Sequence, residues 1–204
     1  MWSIRNACLA MAALVLWTAA SARQERAETP AGDPALQKVL LELREQDQNA
    51  LRQNLPEPAL REIQHATKAK LQAIVRLRGW PTLSMVGNDA AQGAWLIVQH
   101  ADDDLAWQRD MLARMEALIP SGEVRKSDIA YLRDRVAHNE HRAQSYGTQG
   151  ACVAKEEWKP FEMIDPDHLA ERRAQMDMIP MEKYLTMTAW MCRKFDPAKE
   201  KTAK

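Results

Sequence analysis

Apolar residues recur along most of this chain with the 3.6-residue period of amphipathic helices, and polar stretches rich in Pro, Gly and Asp separate them. Asp33-Pro34 is a helix start, with the acid as N-cap and proline at the first helical position. Leu36, Val39, Leu40 and Leu43 then recur at helical spacing, out to about Asn54. Pro56 and Pro58 bracket a turn. A second helix from there carries Leu60, Ile63, Leu71, Ile74, Val75 and Leu77 before Gly79. Residues 34–78 therefore read as a helical hairpin.

The next segment, Arg78 to Ala90, contains Gly79, Pro81 and Gly87 and reads as a loop, with Trp80 pinned to the core and Asp89 capping the next helix. That helix, "AAQGAWLIVQH", is apolar nearly all round, the mark of a buried central helix. "ADDD" stops it, and one of those acids caps a helix whose Leu105, Met111, Leu112, Met115, Leu118 and Ile119 face inward. Ser127 opens another, with Ile129, Leu132 and Val136 on one face. Beyond the polar stretch 141–149, residues 151–166 hold Trp158, Pro160 and Phe161 and predict an irregular strap on aromatic anchors. A short helix runs from Asp167 to Met176, and after Pro180 comes a last helix with Tyr184, Leu185, Thr188 and Cys192. No strand alternation is evident. The pattern predicts an all-α helical bundle with an N-terminal hairpin (34–78), a core of 79–196 and a frayed charged tail at 197–204.

The first 22 residues obey a different logic. Arg5 precedes an apolar run from Ala7 to Trp17, too short for a membrane span, and Ala20-Ser21-Ala22 resembles a cleavage site. The expectation is an exported protein with a flexible leader at 23–33 and no membrane span in the mature chain. Without that peptide the chain keeps 27 basic and 28 acidic side chains, and such balance predicts neither nucleic acid nor an acidic membrane as partner. Export changes how the cysteines read: Cys152 and Cys192 are the two left, and an oxidising compartment favours their pairing over a nucleophilic Cys152.

Candidate chemistry is sparse. Phosphate loops, dinucleotide fingerprints, Gly-x-Ser-x-Gly elbows and His-Glu-x-x-His helices are missing, and no cofactor is implied. On a helical wheel Tyr131, Asp134, His138 and His141 fall opposite Ile129, Leu132 and Val136; a solvated face explains this better than a metal site. Gln99 and His100 end the most apolar helix, so they need buried partners, which Asp102, Asp103, Asp104 or a backbone carbonyl could supply. Gln144, Ser145, Tyr146, Gly147, Thr148 and Gln149 form a polar run around a glycine, suited to a polar ligand or simply to a turn.

Taken together, "GWPTLSMVG", "LIVQHADD", "LRDRVA" and "QSYGTQ" resemble an uncharacterised bacterial family marked by Gly-Trp-Pro, Gln-His-Ala-Asp, Asp-Arg and Gln-x-Tyr-Gly-Thr-Gln motifs. The resemblance, over about residues 79–185, singles out Gln99, His100, Asp134, Arg135, Gln144, Tyr146, Gly147, Thr148 and Gln149. The chain departs from the pattern at "RRAQMDMIP". The resemblance implies no activity. It does suggest that His100, Asp134, Arg135 and the 141–149 loop converge on one pocket. The reading that results is an exported binding or interaction protein, for instance an inhibitor or immunity-type protein against a toxin or cell-wall hydrolase, whose partner is another exported protein or a small polar ligand. The alternative is a periplasmic hydrolase with His100 as base, tuned by Asp134, and Arg135 stabilising negative charge.

Overall fold

The computed structural model describes residues 32–195 except Asn54; the expected signal peptide, most of the leader and the charged tail lie outside the described residues. Among these residues are seven α-helices and one two-stranded sheet. The first helix, α1 (Pro34–Arg52), starts as the sequence predicts: the Asp33 carboxylate accepts the Leu36 N–H at 2.9 Å. Its buried stripe is Leu36, Leu40, Leu43, Asp47 and Ala50, whereas Val39 turns outward. Helix α2 (Glu57–Arg78) returns alongside, completing the hairpin, with Leu71 and Val75 buried and Leu77 facing solvent.

The central helix, α3 (Leu83–Gln99), begins earlier than expected. Thr82, not Asp89, caps it by accepting the Met85 N–H, and the loop before it is short. Gly87 interrupts it with a φ of 76°, which explains why the sequence there looks like a turn. Its core face carries Val86, Ala90, Ala94, Trp95, Ile97 and Val98. At Gly93, α1 comes so close that a Cβ would lie 2.9 Å from that of Arg44. Helices α4 (Leu105–Glu116, capped by Asp104) and α5 (Lys126–Asn139) close the bundle with Met111, Met115, Ile129, Leu132 and Val136. Trp80 is buried in this core.

The strap adds one small sheet to an otherwise helical fold. Gly150–Ala154 (β1) and Glu157–Pro160 (β2) form an antiparallel hairpin, with Cys152 opposite Trp158. These strands are too short to display the alternation a sequence scan looks for. Trp158 is the expected buried anchor, but Phe161 is partly exposed. A 3₁₀ turn leads into α6 (Leu169–Gln175), then α7 (Met181–Ala189) and a final 3₁₀ segment carrying Cys192. The Cys152–Cys192 disulfide is present, with Cα atoms 5.4 Å apart. Edge-to-face contacts run from Trp95 to Tyr131, Tyr184 and Trp158, with centroids 5.6–6.1 Å apart, and tie hairpin and α7 to the bundle.

Candidate functional site

The residues expected to form one pocket divide into two groups. The first is a closed clamp beneath the 141–149 loop. Asp134 is not on a solvated face of α5; it is fully buried. Its carboxylate accepts the N–H groups of Ser145 (2.8 Å), Tyr146 (3.1 Å) and Thr148 (3.0 Å) and the Thr148 hydroxyl (2.9 Å). Burial pushes its pKa upward against the pull of these four donors. From the other side Arg173, also fully buried, donates to the Tyr146 carbonyl at 2.5 Å and to that of Ile179 at 2.9 Å. An anion thus takes the loop's N–H groups and a cation takes its carbonyl.

Gln144 spans the loop internally. Its amide donates to the carbonyls of Gln149 and Phe161, and its Oε1 accepts the Gln149 N–H at 2.8 Å. Gly147 sits at a φ of +70°, and a Cβ there would meet the Met163 sulfur at 2.9 Å. The Tyr146 hydroxyl accepts from Arg133 at 2.6 Å. Asp134, Gln144, Tyr146, Gly147 and Thr148 are therefore satisfied by one another and by the protein, and they hold the loop in shape instead of presenting groups to a ligand. The helix breaks here because the loop's backbone becomes the ligand of Asp134.

The second group opens to solvent. A cleft of about 440 Å³, within the usual range for small-molecule sites, is lined by Glu57, Leu60, Arg61, Gln64 and His65 of α2, by His100, Asp102 and Asp103 after α3, and by Arg135 of α5. His100 is the pivot. Its Nδ1 lies 2.8 and 3.0 Å from the two carboxylate oxygens of Asp47, a residue outside every motif of the sequence. Asp47 is fully buried and also accepts from Gln48 at 2.9 Å. In the neutral ring a carboxylate at Nδ1 favours the proton on that nitrogen, which leaves the lone pair on Nε2. Nε2 has no partner among the described residues, and the ring is partly exposed.

None of the three acids that neighbour His100 in sequence is its partner. Asp102 receives Arg135 through two N–H groups, at 2.9 and 2.5 Å, and Asn139 at 2.9 Å. Asp103 contacts Lys68 and lies 3.2 Å from His65 Nε2. Asp104 caps α4. Burial works to raise the pKa of Asp102 and of Asp103, but the hydrogen bonds from Arg135 and Asn139 on one, and from Lys68 on the other, prevail and hold both below the usual carboxylate range.

Arg135 also donates to Gln149 Oε1 at 3.1 Å, the one direct link between the loop and the cleft among the described residues. Three of its five N–H groups are thereby engaged and two remain. Gln108, fully buried, braces this wall through Asp102, Asn139 and the Val98 carbonyl. Gln99 is half-buried, and its Oε1 is shut from solvent with no partner among the described residues. His138 stacks on Phe161 at 4.6 Å, and burial together with Arg135 depresses its pKa; His141 is exposed. Among the described residues no three His, Cys, Asp or Glu side chains converge as a metal ion would need.

Asp47 leaves a trace in the sequence: it continues the Leu36-Leu40-Leu43 stripe by one turn, so a carboxylate stands where an apolar residue belongs. His65 and Arg61 leave none, because they sit among many charged residues on an exposed helix face.

Comparison with known proteins defines a class without an activity. The model of a family of unknown function, DUF6624, matches residues 34–191, and the chain belongs to that family. No curated protein and no solved structure matches it. No helix among the described residues is long and apolar enough to cross a membrane.

Proposed function

We propose that this chain is an exported hydrolase in which His100, oriented by Asp47, acts as general base on water. The observation that carries the reading is the 2.8 Å contact between His100 Nδ1 and a fully buried carboxylate, on the wall of an open polar cleft. Asp47 fixes the tautomer and stabilises the imidazolium that forms when Nε2 accepts a proton. The lining side chains include no hydroxyl or thiol, so water is the nucleophile that this base serves. The two uncommitted N–H groups of Arg135 are donors for the negative charge that develops on the substrate. Arg135 keeps the role the sequence suggests for it, and Asp47 takes the place of Asp134.

Hydrolysis of p-nitrophenyl acetate and bis(p-nitrophenyl) phosphate by the purified mature chain tests this. The wild type turns over at least one of them, and His100→Ala slows it by about 10²–10⁴-fold, the usual share of general acid–base catalysis, with Asp47→Ala close behind. Equal rates in wild type and His100→Ala, or no turnover by the wild type, contradict the reading.

The interaction-protein reading has separate support. Met187 lies one helical turn before Trp190 and Met191, and all three are at least half exposed, an apolar patch of the kind partner proteins cover. A partner docked there, such as an exported toxin or hydrolase, would be captured equally by wild type and His100→Ala.

A further inference from the structure

We propose that His65 is the general acid of the cleft, and that the substrate class is an ester of an unactivated alcohol. This inference rests on the hydrolase reading above and extends it.

The nine lining side chains decide the assignment by their chemistry. Leu60 and Gln64 do not titrate, and Arg61 and Arg135 stay charged at any physiological pH. Glu57 is engaged by Arg61, Asp102 by Arg135 and Asn139, and Asp103 by Lys68, so each carboxylate is held in its acceptor form by a cation. Asp102 and Asp103 are the two whose pKa values are pulled down. Two imidazoles remain, and imidazole is the side chain whose ordinary titration range straddles neutrality. They are placed differently. His100 is backed by a buried carboxylate at Nδ1, which suits a base whose free nitrogen meets the substrate. His65 lines the same cleft from α2, with 60% of its side chain exposed and within reach of solvent. Asp103 lies 3.2 Å from its Nε2, and Lys68 shares that carboxylate.

A site with a separate acid is needed only when the leaving group cannot depart as an anion. A phenolate such as p-nitrophenolate leaves unaided, whereas an ordinary alkoxide must be protonated as its bond breaks. In the step this placement allows, His100 Nε2 takes a proton from water and the water oxygen bonds to the acyl carbon or phosphorus. The bond from that centre to the ester oxygen breaks, its electron pair stays on that oxygen, and His65 supplies the proton that makes the free alcohol. Water has been added across one bond, and proton exchange with solvent restores both rings.

The test compares two leaving groups on one acid. Whichever p-nitrophenyl ester the wild type hydrolyses is assayed beside its methyl counterpart, methyl acetate or dimethyl phosphate, in wild type, His65→Gln and His100→Ala. The expected result is that His65→Gln loses about 10²-fold more on the methyl ester than on the p-nitrophenyl ester, while His100→Ala loses both alike. A His65 that merely supported the fold would move both esters together, so equal losses overturn the inference. Wild-type rates on the methyl ester in His65→Gln overturn it too, as does a wild type that hydrolyses only the p-nitrophenyl ester; in each case the hydrolase reading stands. If the wild type hydrolyses neither p-nitrophenyl ester, the hydrolase reading falls and takes this inference with it.

Discussion

Asp134→Ala lowers the stability of the fold by about 3–5 kcal/mol, as removing one side of a buried charged network does elsewhere. The loss comes from what is stranded. Three backbone N–H groups and the Thr148 hydroxyl converge on one fully buried carboxylate, and alanine leaves them without an acceptor. The Arg173 guanidinium then remains buried against the same loop without the nearby negative charge. For a domain of this size the change corresponds to a fall in Tm of roughly 6–20 °C. Thermal unfolding of the two proteins measures it. A loss well under 1 kcal/mol would mean that the loop is not held by Asp134, and the clamp would have to be abandoned.

Cys152→Ser costs about 4 kcal/mol in the chain-entropy model, which assigns that much to closing a loop of this length. The two cysteines are 40 positions apart, and the segment between them contains β2, α6 and α7. Their link joins the hairpin to the last 3₁₀ segment, and neither cysteine is among the residues that line the cleft. The variant therefore unfolds at lower temperature but, while folded, keeps the wild-type rate on an activated ester. Thiol titration of the purified chain from residue 23 onward finds no free thiol. Two free thiols, or an unchanged Tm in the variant, would contradict this.

The bundle is legible in the sequence because helical periodicity and caps are local signals. Asp33, Asp104 and the buried Trp95, Ile97 and Val98 each behave as their immediate neighbours dictate. The cysteine pair is legible once Cys8 is set aside with the expected signal peptide. The clamp and the cleft are harder to tell apart, because polarity along a helix is easily equated with exposure. On a helical wheel Asp134 belongs outside, but a wheel cannot know that a loop will supply backbone N–H groups in place of water. Asp47 is hidden for the converse reason: a charge inside an apolar stripe is a strong signal, yet its partner, His100, lies 53 positions away and no local pattern connects them. The β-hairpin escapes because strands of five and four residues carry too little alternation.

The central claim, that His100 is held as a base facing the cleft, is tested most directly by the protonation of its two ring nitrogens. Long-range ¹H–¹⁵N correlation spectra of the purified protein, at a pH where the ring is neutral, report which nitrogen carries the hydrogen. The geometry predicts a single Nδ1–H tautomer with Nε2 unprotonated, and its loss to a mixture in Asp47→Ala. A His100 protonated at Nε2 in the wild type would contradict the account, because the nitrogen that Asp47 does not hold would then have no lone pair to take a proton from water.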